Sequence, residues 1–115
     1  MDHYAMYHPT TPEIARRRRE LAPHTHEAFE AFSHAVFADG ALPEVTKQLI
    51  AVAVAHVTQC PYCIKGHTEA AAHAGATDAE IMEAIWVASE MRAGGAYAHS
   101  NLALQALNDL HNTKK

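Results

Sequence analysis

The residues with the clearest chemical potential are two cysteines and a histidine in the segment 60–67, Cys-Pro-Tyr-Cys-Ile-Lys-Gly-His. On a helix, the spacing i, i+3, i+7 places Cys60, Cys63 and His67 on one stripe. Pro61 suits the first turn of such a helix, where its missing N–H would have no partner. A helix N-terminus favours a thiolate, and a C-x-x-C pair brings a second sulfur close enough to capture the first after oxidation. The pattern therefore predicts a dithiol–disulfide cycle, in which a substrate oxidises one sulfur and a reductant restores both thiols.

A single C-x-x-C pair has two other interpretations. It can be half of a zinc site, but structural zinc usually takes four ligands and the chain has only two cysteines. Histidines would have to complete such a site, and the candidates are His56, His67, His73 and His99. The pair can also be two small buried side chains. The redox interpretation is favoured because His67 lies one helical turn from Cys63, where a base would be needed.

The composition is that of one globular domain spanning residues 1–115. The chain of 115 residues is 49% hydrophobic and 19% charged, which excludes disordered and fibrous classes. The formal net charge of −4 argues against nucleic acid as a partner, since phosphate binding needs a surplus of Lys and Arg.

The sequence favours a reducing, cytoplasmic location. Two cysteines are too few for a disulfide-stapled secreted fold. Residues 1–10 are polar and show no apolar core of a signal peptide. The longest apolar run, residues 49–55, is far shorter than the roughly 20 residues of a membrane span. We therefore expect no membrane partner.

The chain is predicted to be all-α, with about six helices. It contains 24 alanines but only five glycines and five prolines, and it lacks an alternating strand pattern. Thr11 and Asp78 are predicted N-caps, and Gly75 and Gly94-Gly95 are predicted helix ends. The third helix, apolar all round over residues 49–55, is expected to be buried on most sides. The predicted helices span 12–22, 25–37, 44–59, 60–74, 79–92 and 96–112.

Several segments together resemble the carboxymuconolactone decarboxylase family, in its alkylhydroperoxidase D-like branch. That branch is marked by C-x-x-C followed by three residues and a histidine, as in Cys60, Cys63 and His67 here. The resemblance covers residues 42–100. Its other elements are the apolar run Lys-Gln-Leu-Ile-Ala-Val-Ala-Val-Ala at 47–55, His67-Thr68, Ala74-Gly75-Ala76, Glu80-Ile81 and Glu83-Ala84.

The resemblance implies an all-α homotrimer or homohexamer that acts as a thiol-dependent peroxidase or disulfide oxidoreductase. The implied partners are a hydroperoxide substrate and a dithiol reductant, either a protein or a lipoyl-type group, and no cofactor is expected. By position, Cys63 resembles the sulfur that attacks peroxide, Cys60 its more exposed partner, and His67 a member of a proton relay. The decarboxylases of the family lack this cysteine pair, so lactone decarboxylation is not expected.

One position departs from the family pattern. Family members of the best-known type carry a glutamate twelve residues before the first cysteine, where this chain has Gln48. A neutral amide can orient a water but cannot accept a proton as a base. Glu44, one turn earlier, and Glu90, in a less polar stretch of the fifth helix, are alternative carboxylates. His99 is a further candidate, although its apolar surroundings are also typical of a packed histidine.

The rival hypothesis is a non-catalytic metal-binding or assembly module that uses Cys60, Cys63 and histidines. Assembly itself is expected under both hypotheses, because a chain this short with an apolar third helix has more apolar surface than six short helices readily bury. Phe29, Phe32 and Phe37 are interpreted as core or interface residues.

Overall fold

The computed structural model describes residues 6–113, and this part of the chain is helical without any strand, as predicted. Residues 1–5 lie outside the described part. They are the first half of the segment 1–10, in which the sequence shows no apolar core of a signal peptide. No helix within 6–113 is long and apolar enough to cross a bilayer. The helices are α1 (Pro12–Leu21), α2 (Pro23–Phe37), α3 (Glu44–Thr58), α4 (Pro61–His73), α5 (Asp78–Ala98) and α6 (Ser100–Thr113).

Most helix ends follow local signals in the sequence. Thr11 caps α1, as predicted, because its hydroxyl accepts a hydrogen bond from the Ile14 N–H at 3.2 Å. The predicted N-cap of α5 was off by one residue, since Thr77 and not Asp78 is the cap. The Thr77 hydroxyl accepts from the Glu80 N–H at 3.1 Å, and the Glu80 carboxylate accepts from the Thr77 N–H at 2.8 Å. This reciprocal pair is a capping box, which satisfies two otherwise free donors.

The predicted break at Gly94-Gly95 was wrong. Helix α5 continues through both glycines to Ala98, and α6 begins at Ser100, after the single intervening residue His99. Each glycine costs about 1 kcal/mol relative to alanine inside a helix, which the surrounding helix formers outweigh. The chain therefore forms a nearly continuous helical rod over residues 78–113.

The core lies where α3 packs between α4 and α5. Its buried members are Val52, Ala71, Ala76 and Ile81, against which Val45, Leu49 and Ile85 pack. The prediction for α3 is only partly correct. Gln48, Val52 and Ala55 are buried, but Ile50 and Val54 on the opposite side are 48% and 51% exposed.

The remaining helices project from this core. Helix α1 packs on α2, α6 continues from the end of α5, and α1, α2 and α6 contain no buried residue. The radius of gyration is 20.4 Å, whereas a compact domain of this length has about 13 Å. The accessible surface is 9365 Å², against about 6,200 Å² for a compact monomer of this mass. The isolated chain therefore exposes about one and a half times the surface of a compact monomer of the same mass.

Two glycines should respond to alanine in opposite directions. Gly75 has a φ of +108°, so Gly75→Ala should lower the free energy of unfolding by about 1–2 kcal/mol through backbone strain alone. A Cβ at Gly95 would meet nothing within 4 Å, so Gly95→Ala should raise stability by about 0.5–1 kcal/mol. Urea unfolding at matched protein concentration measures both. Equal effects of the two substitutions would contradict the helical assignment of Gly95.

Candidate active site

A tight helical hairpin brings α3 and α4 together. Gln59 ends α3 in the left-handed conformation, with φ 57° and ψ 49°, and its N–H donates to the Ala55 carbonyl. The Cys60 N–H donates to the same carbonyl at 3.2 Å, and α4 begins at the next residue. The short connection therefore places the first turns of α4 beside α3.

The two cysteines lie at the N-terminus of α4, where the sequence predicts them. Cys60 is the N-cap, and its Sγ accepts a hydrogen bond from the Cys63 N–H at 3.2 Å. Cys60 and Cys63 form a disulfide with a Cα–Cα separation of 5.2 Å, within the usual 4.4–6.8 Å range. Both residues are half-buried. The first turn of α4 thus accommodates the sulfur pairing that a dithiol cycle needs.

His67, two turns into α4, is held from two sides. Its Nδ1 lies 2.8 Å from Oε1 of Gln48 on α3, which is hydrogen-bond distance. Gln48 is 6% exposed and is the buried polar residue of the described chain. The Phe37 ring, at the end of α2, stacks on the imidazole with a centroid distance of 5.1 Å and an interplanar angle of 27°. Three helices therefore determine the orientation of this one ring.

The two carboxylates considered as alternatives to Gln48 are not brought to His67. Glu44 is the exposed first residue of α3, and its backbone N–H donates to the Asp39 carboxylate at 2.7 Å. Glu90 is exposed on α5, with its carboxylate beside Gly94. Within residues 6–113, the hydrogen-bond partner of the imidazole is Gln48.

The histidines considered as zinc ligands do not gather around the cysteines. Nδ1 of His56 lies 2.7 Å from the Val52 carbonyl of its own helix, and Nδ1 of His99 lies 2.7 Å from the Gly95 carbonyl. His73 is the exposed last residue of α4. Over the described residues, no group of three or more His, Cys, Asp or Glu side chains is placed to hold a metal ion.

Two cavities share Cys63, His67 and Phe37. The first, of about 420 Å³, is mainly apolar, and its walls include Val36, Ile50 and Val54. The second, of about 500 Å³, is more polar. Its further lining residues are Ser33, His34, Gln48, Tyr62, Gly66 and Ala70. The Cys63 side chain and the His67 imidazole therefore border both a mainly apolar cavity and a somewhat more polar one.

Sequence reasoning missed the contributions of Phe37 and Lys47. Phe37 was interpreted only as a core or interface residue. The Lys47 ammonium donates to the Val36 and Ala38 carbonyls, at 2.8 and 2.6 Å, and so ties the end of α2 to α3. Neither contact has a local signal, because each joins residues on different helices.

The fold and the site together define a class of protein. Its members are all-helical domains with a disulfide-forming C-x-x-C pair at a helix N-terminus, next to a histidine whose ring is held in one orientation. The sequence profile of the carboxymuconolactone decarboxylase family matches residues 23–106. The chain therefore belongs to the carboxymuconolactone decarboxylase family.

The chain is also similar to individual proteins and solved structures. The uncharacterized protein 4 in cox locus of Paracoccus denitrificans is 67% identical over 84 residues, which cover 73% of this chain and 76% of the relative. The crystal structure of a carboxymuconolactone decarboxylase family protein from Legionella pneumophila has a TM-score of 0.66 at 33% identity, with coverage of 83% and 85%. A Thermotoga maritima family protein, for which a role in the antioxidative response has been suggested, has a TM-score of 0.57 at 28% identity, with coverage of 80% and 95%.

Proposed function

We propose that this protein is a thiol-dependent peroxidase that reduces hydroperoxides with the Cys60–Cys63 dithiol. The observation that carries the proposal is the disulfide at the N-terminus of α4, one turn from a histidine that lines the same cavities as Cys63. The free N–H groups and the dipole of a helix N-terminus stabilise a thiolate, which is the form of cysteine that attacks peroxide. The suggested antioxidative role of the Thermotoga relative agrees with this chemistry.

The proposed cycle uses each of the three residues once. Cys63 attacks the terminal peroxide oxygen, the O–O bond breaks, and an alcohol leaves while Cys63 becomes a sulfenic acid. The Cys60 sulfur then attacks the sulfenic sulfur, which releases water and forms the disulfide. A dithiol reductant, either a protein or a lipoyl-type group, reduces this disulfide and is itself oxidised. His67 acts as the base that takes the proton of the Cys63 thiol.

The first cavity favours an organic hydroperoxide over hydrogen peroxide. Its volume of about 420 Å³ lies within the range of small-molecule sites. Ile50, Val54 and Val36 give it apolar walls, and Cys63 and His67 are the reactive groups at its edge. Burying an alkyl or aryl group there would remove apolar surface from water at about 25 cal/mol per Å². Hydrogen peroxide has no such group and gains nothing from these walls.

We also propose that the protein works as a cytoplasmic homo-oligomer, a trimer or a hexamer. The support is the uncovered apolar surface of α2, α5 and α6 in the isolated chain. Phe29, Phe32, Trp86 and Leu102 are each more than 60% exposed. Exposed apolar area on this scale marks interaction surfaces, and C₃ or D₃ symmetry would close them.

A thiol count under mild oxidation tests the proposed function. Reduced protein treated with one equivalent of cumene hydroperoxide should lose both thiols and gain an intrachain disulfide. Continued turnover should appear with a dithiol reductant, and it should be faster with cumene hydroperoxide than with hydrogen peroxide. Peptide mass spectrometry and reductant oxidation measure the two stages.

The opposite result would favour the rival metal-binding or assembly module. Stoichiometric zinc in the purified protein, together with thiols that survive hydroperoxide, would contradict the proposed peroxidase. Purely intermolecular disulfides would contradict the intrachain cycle. Metal analysis of the same sample that is used for the thiol count makes the comparison direct.

A further inference from the structure

We propose that Gln48 is a positioning residue that keeps His67 as the Nδ1–H tautomer, so that the other ring nitrogen, Nε2, is the base. The inference rests on the proposed function for its catalytic meaning, but the tautomer itself can be measured without any reaction. The contact that carries it is the 2.8 Å separation of His67 Nδ1 and Gln48 Oε1. An amide oxygen can only accept, so Nδ1 must carry the hydrogen and Nε2 keeps its lone pair.

Burial makes this hydrogen bond decisive. Gln48 is 6% exposed, and a buried acceptor that loses its hydrogen-bond partner is costly, so the amide oxygen favours the ring orientation that keeps the Nδ1–H directed at it. The stacked Phe37 ring lies against one face of the imidazole. A flip of the ring would replace Nδ1 by a carbon at the Gln48 oxygen and lose the hydrogen bond.

The amide also changes where the proton goes. A carboxylate at position 48 would stabilise the imidazolium by its charge and could itself take up a proton. Gln48 does neither, so the charge on the imidazolium has no anionic partner at Nδ1. We infer that Nε2 takes the proton of the Cys63 thiol and returns it to the departing peroxide oxygen, which leaves as the alcohol. The step balances as thiol plus hydroperoxide giving sulfenic acid plus alcohol, with no proton stored at residue 48.

The tautomer is read by long-range ¹⁵N–¹H NMR of the oxidised and reduced protein. In the parent protein we expect the Nδ1–H form in both states. Gln48→Leu keeps the bulk but removes the acceptor, so the Nε2–H form that a free histidine side chain prefers should appear. Gln48→Glu restores an acceptor and should keep the Nδ1–H form, while its imidazolium should persist to higher pH than in the parent.

Kinetics give the second readout, by stopped-flow measurement of Cys63 oxidation with cumene hydroperoxide. Gln48→Leu should slow the first oxidation about tenfold, since general-base catalysis contributes about 10²–10⁴-fold and part of it depends on the tautomer. In Gln48→Glu the lower limb of the pH–rate profile should move to higher pH, because a more stable imidazolium must lose its proton before Nε2 can act. A purely structural role for Gln48 would not move this limb.

The outcomes separate this inference from the proposed function. An Nε2–H tautomer in the parent protein overturns the role of Gln48 even if peroxide is reduced. A parent protein that shows the Nδ1–H form but does not react with peroxide supports the positioning role and overturns the peroxidase. Should Gln48→Leu fail to fold, the parent and Gln48→Glu spectra still decide between the two tautomers.

Discussion

Cys63→Ser should abolish the first oxidation by hydroperoxide, whereas Cys60→Ser should permit one oxidation and then stop. The reason is that the attacking sulfur is proposed to be Cys63, which lies one turn before His67 on the same helix. Without Cys60, the Cys63 sulfenic acid has no resolving partner and should accumulate. His67→Ala should slow the first oxidation by about 10²–10⁴-fold, the usual contribution of a general base. Dimedone trapping and stopped-flow thiol loss measure the three variants.

The chain offers matched controls for these variants. Cys60→Ser keeps an oxygen acceptor at the N-cap of α4, and serine is a favoured cap, so the helix should remain intact. His73→Ala removes an exposed histidine from the end of the same helix and should react at the parent rate. If Cys60→Ser instead lost the first oxidation while Cys63→Ser retained it, the roles of the sulfurs would be reversed. A parent-like rate for His67→Ala would reduce His67 to a packing residue.

Leu102→Asp should dissociate the assembly. In the isolated chain the Leu102 side chain is 68% exposed, and a substitution at so exposed a site normally changes stability by no more than about 0.5 kcal/mol. A partner chain that covers α6 would instead trap an unpaired carboxylate in an apolar contact, which costs several kcal/mol. Light scattering at micromolar concentration should report the mass of a trimer or hexamer for the parent and a much smaller mass for the variant.

Asn108→Asp is the control for charge. It adds the same carboxylate to the polar side of α6 and should leave the mass unchanged. A parent protein that is monomeric by light scattering would contradict the proposed assembly. An oligomer that survives Leu102→Asp would show that α6 lies outside the interface.

The fold could be predicted from the sequence wherever a local signal stood alone. Thr11 with Pro12, and Gly75 after α4, mark helix ends because capping and positive φ are local properties of the chain. The helix end predicted at Gly94-Gly95 was wrong because glycine only weakens a helix. The helix-forming residues on either side keep α5 helical through both positions. The true cap of α5 was visible in principle, since Thr77 and Glu80 have the capping-box spacing.

The candidate site divides in the same way. Cys60, Cys63 and His67 could be placed together because all three lie on the first turns of one helix. The contact between Gln48 and His67 joins residues 19 apart in sequence, and only the family resemblance pointed to that position. Phe37 could not be found, because its contact with His67 depends on where the end of α2 lies in space relative to α4, which no local pattern encodes.

The contacts around His67 form a closed circuit through three helices. Lys47 on α3 holds the carbonyls on either side of Phe37, the Phe37 ring rests on His67, and His67 bonds to Gln48, the residue next to Lys47. In a closed circuit no contact can shift without disturbing the other two, so their free energies are coupled and do not add. Helix α2 is otherwise loosely attached to the core. Through these contacts, a movement of α2 would change the position of the imidazole. A force that pulls α1 and α2 away from the core would be transmitted to the ring that is proposed to move the proton.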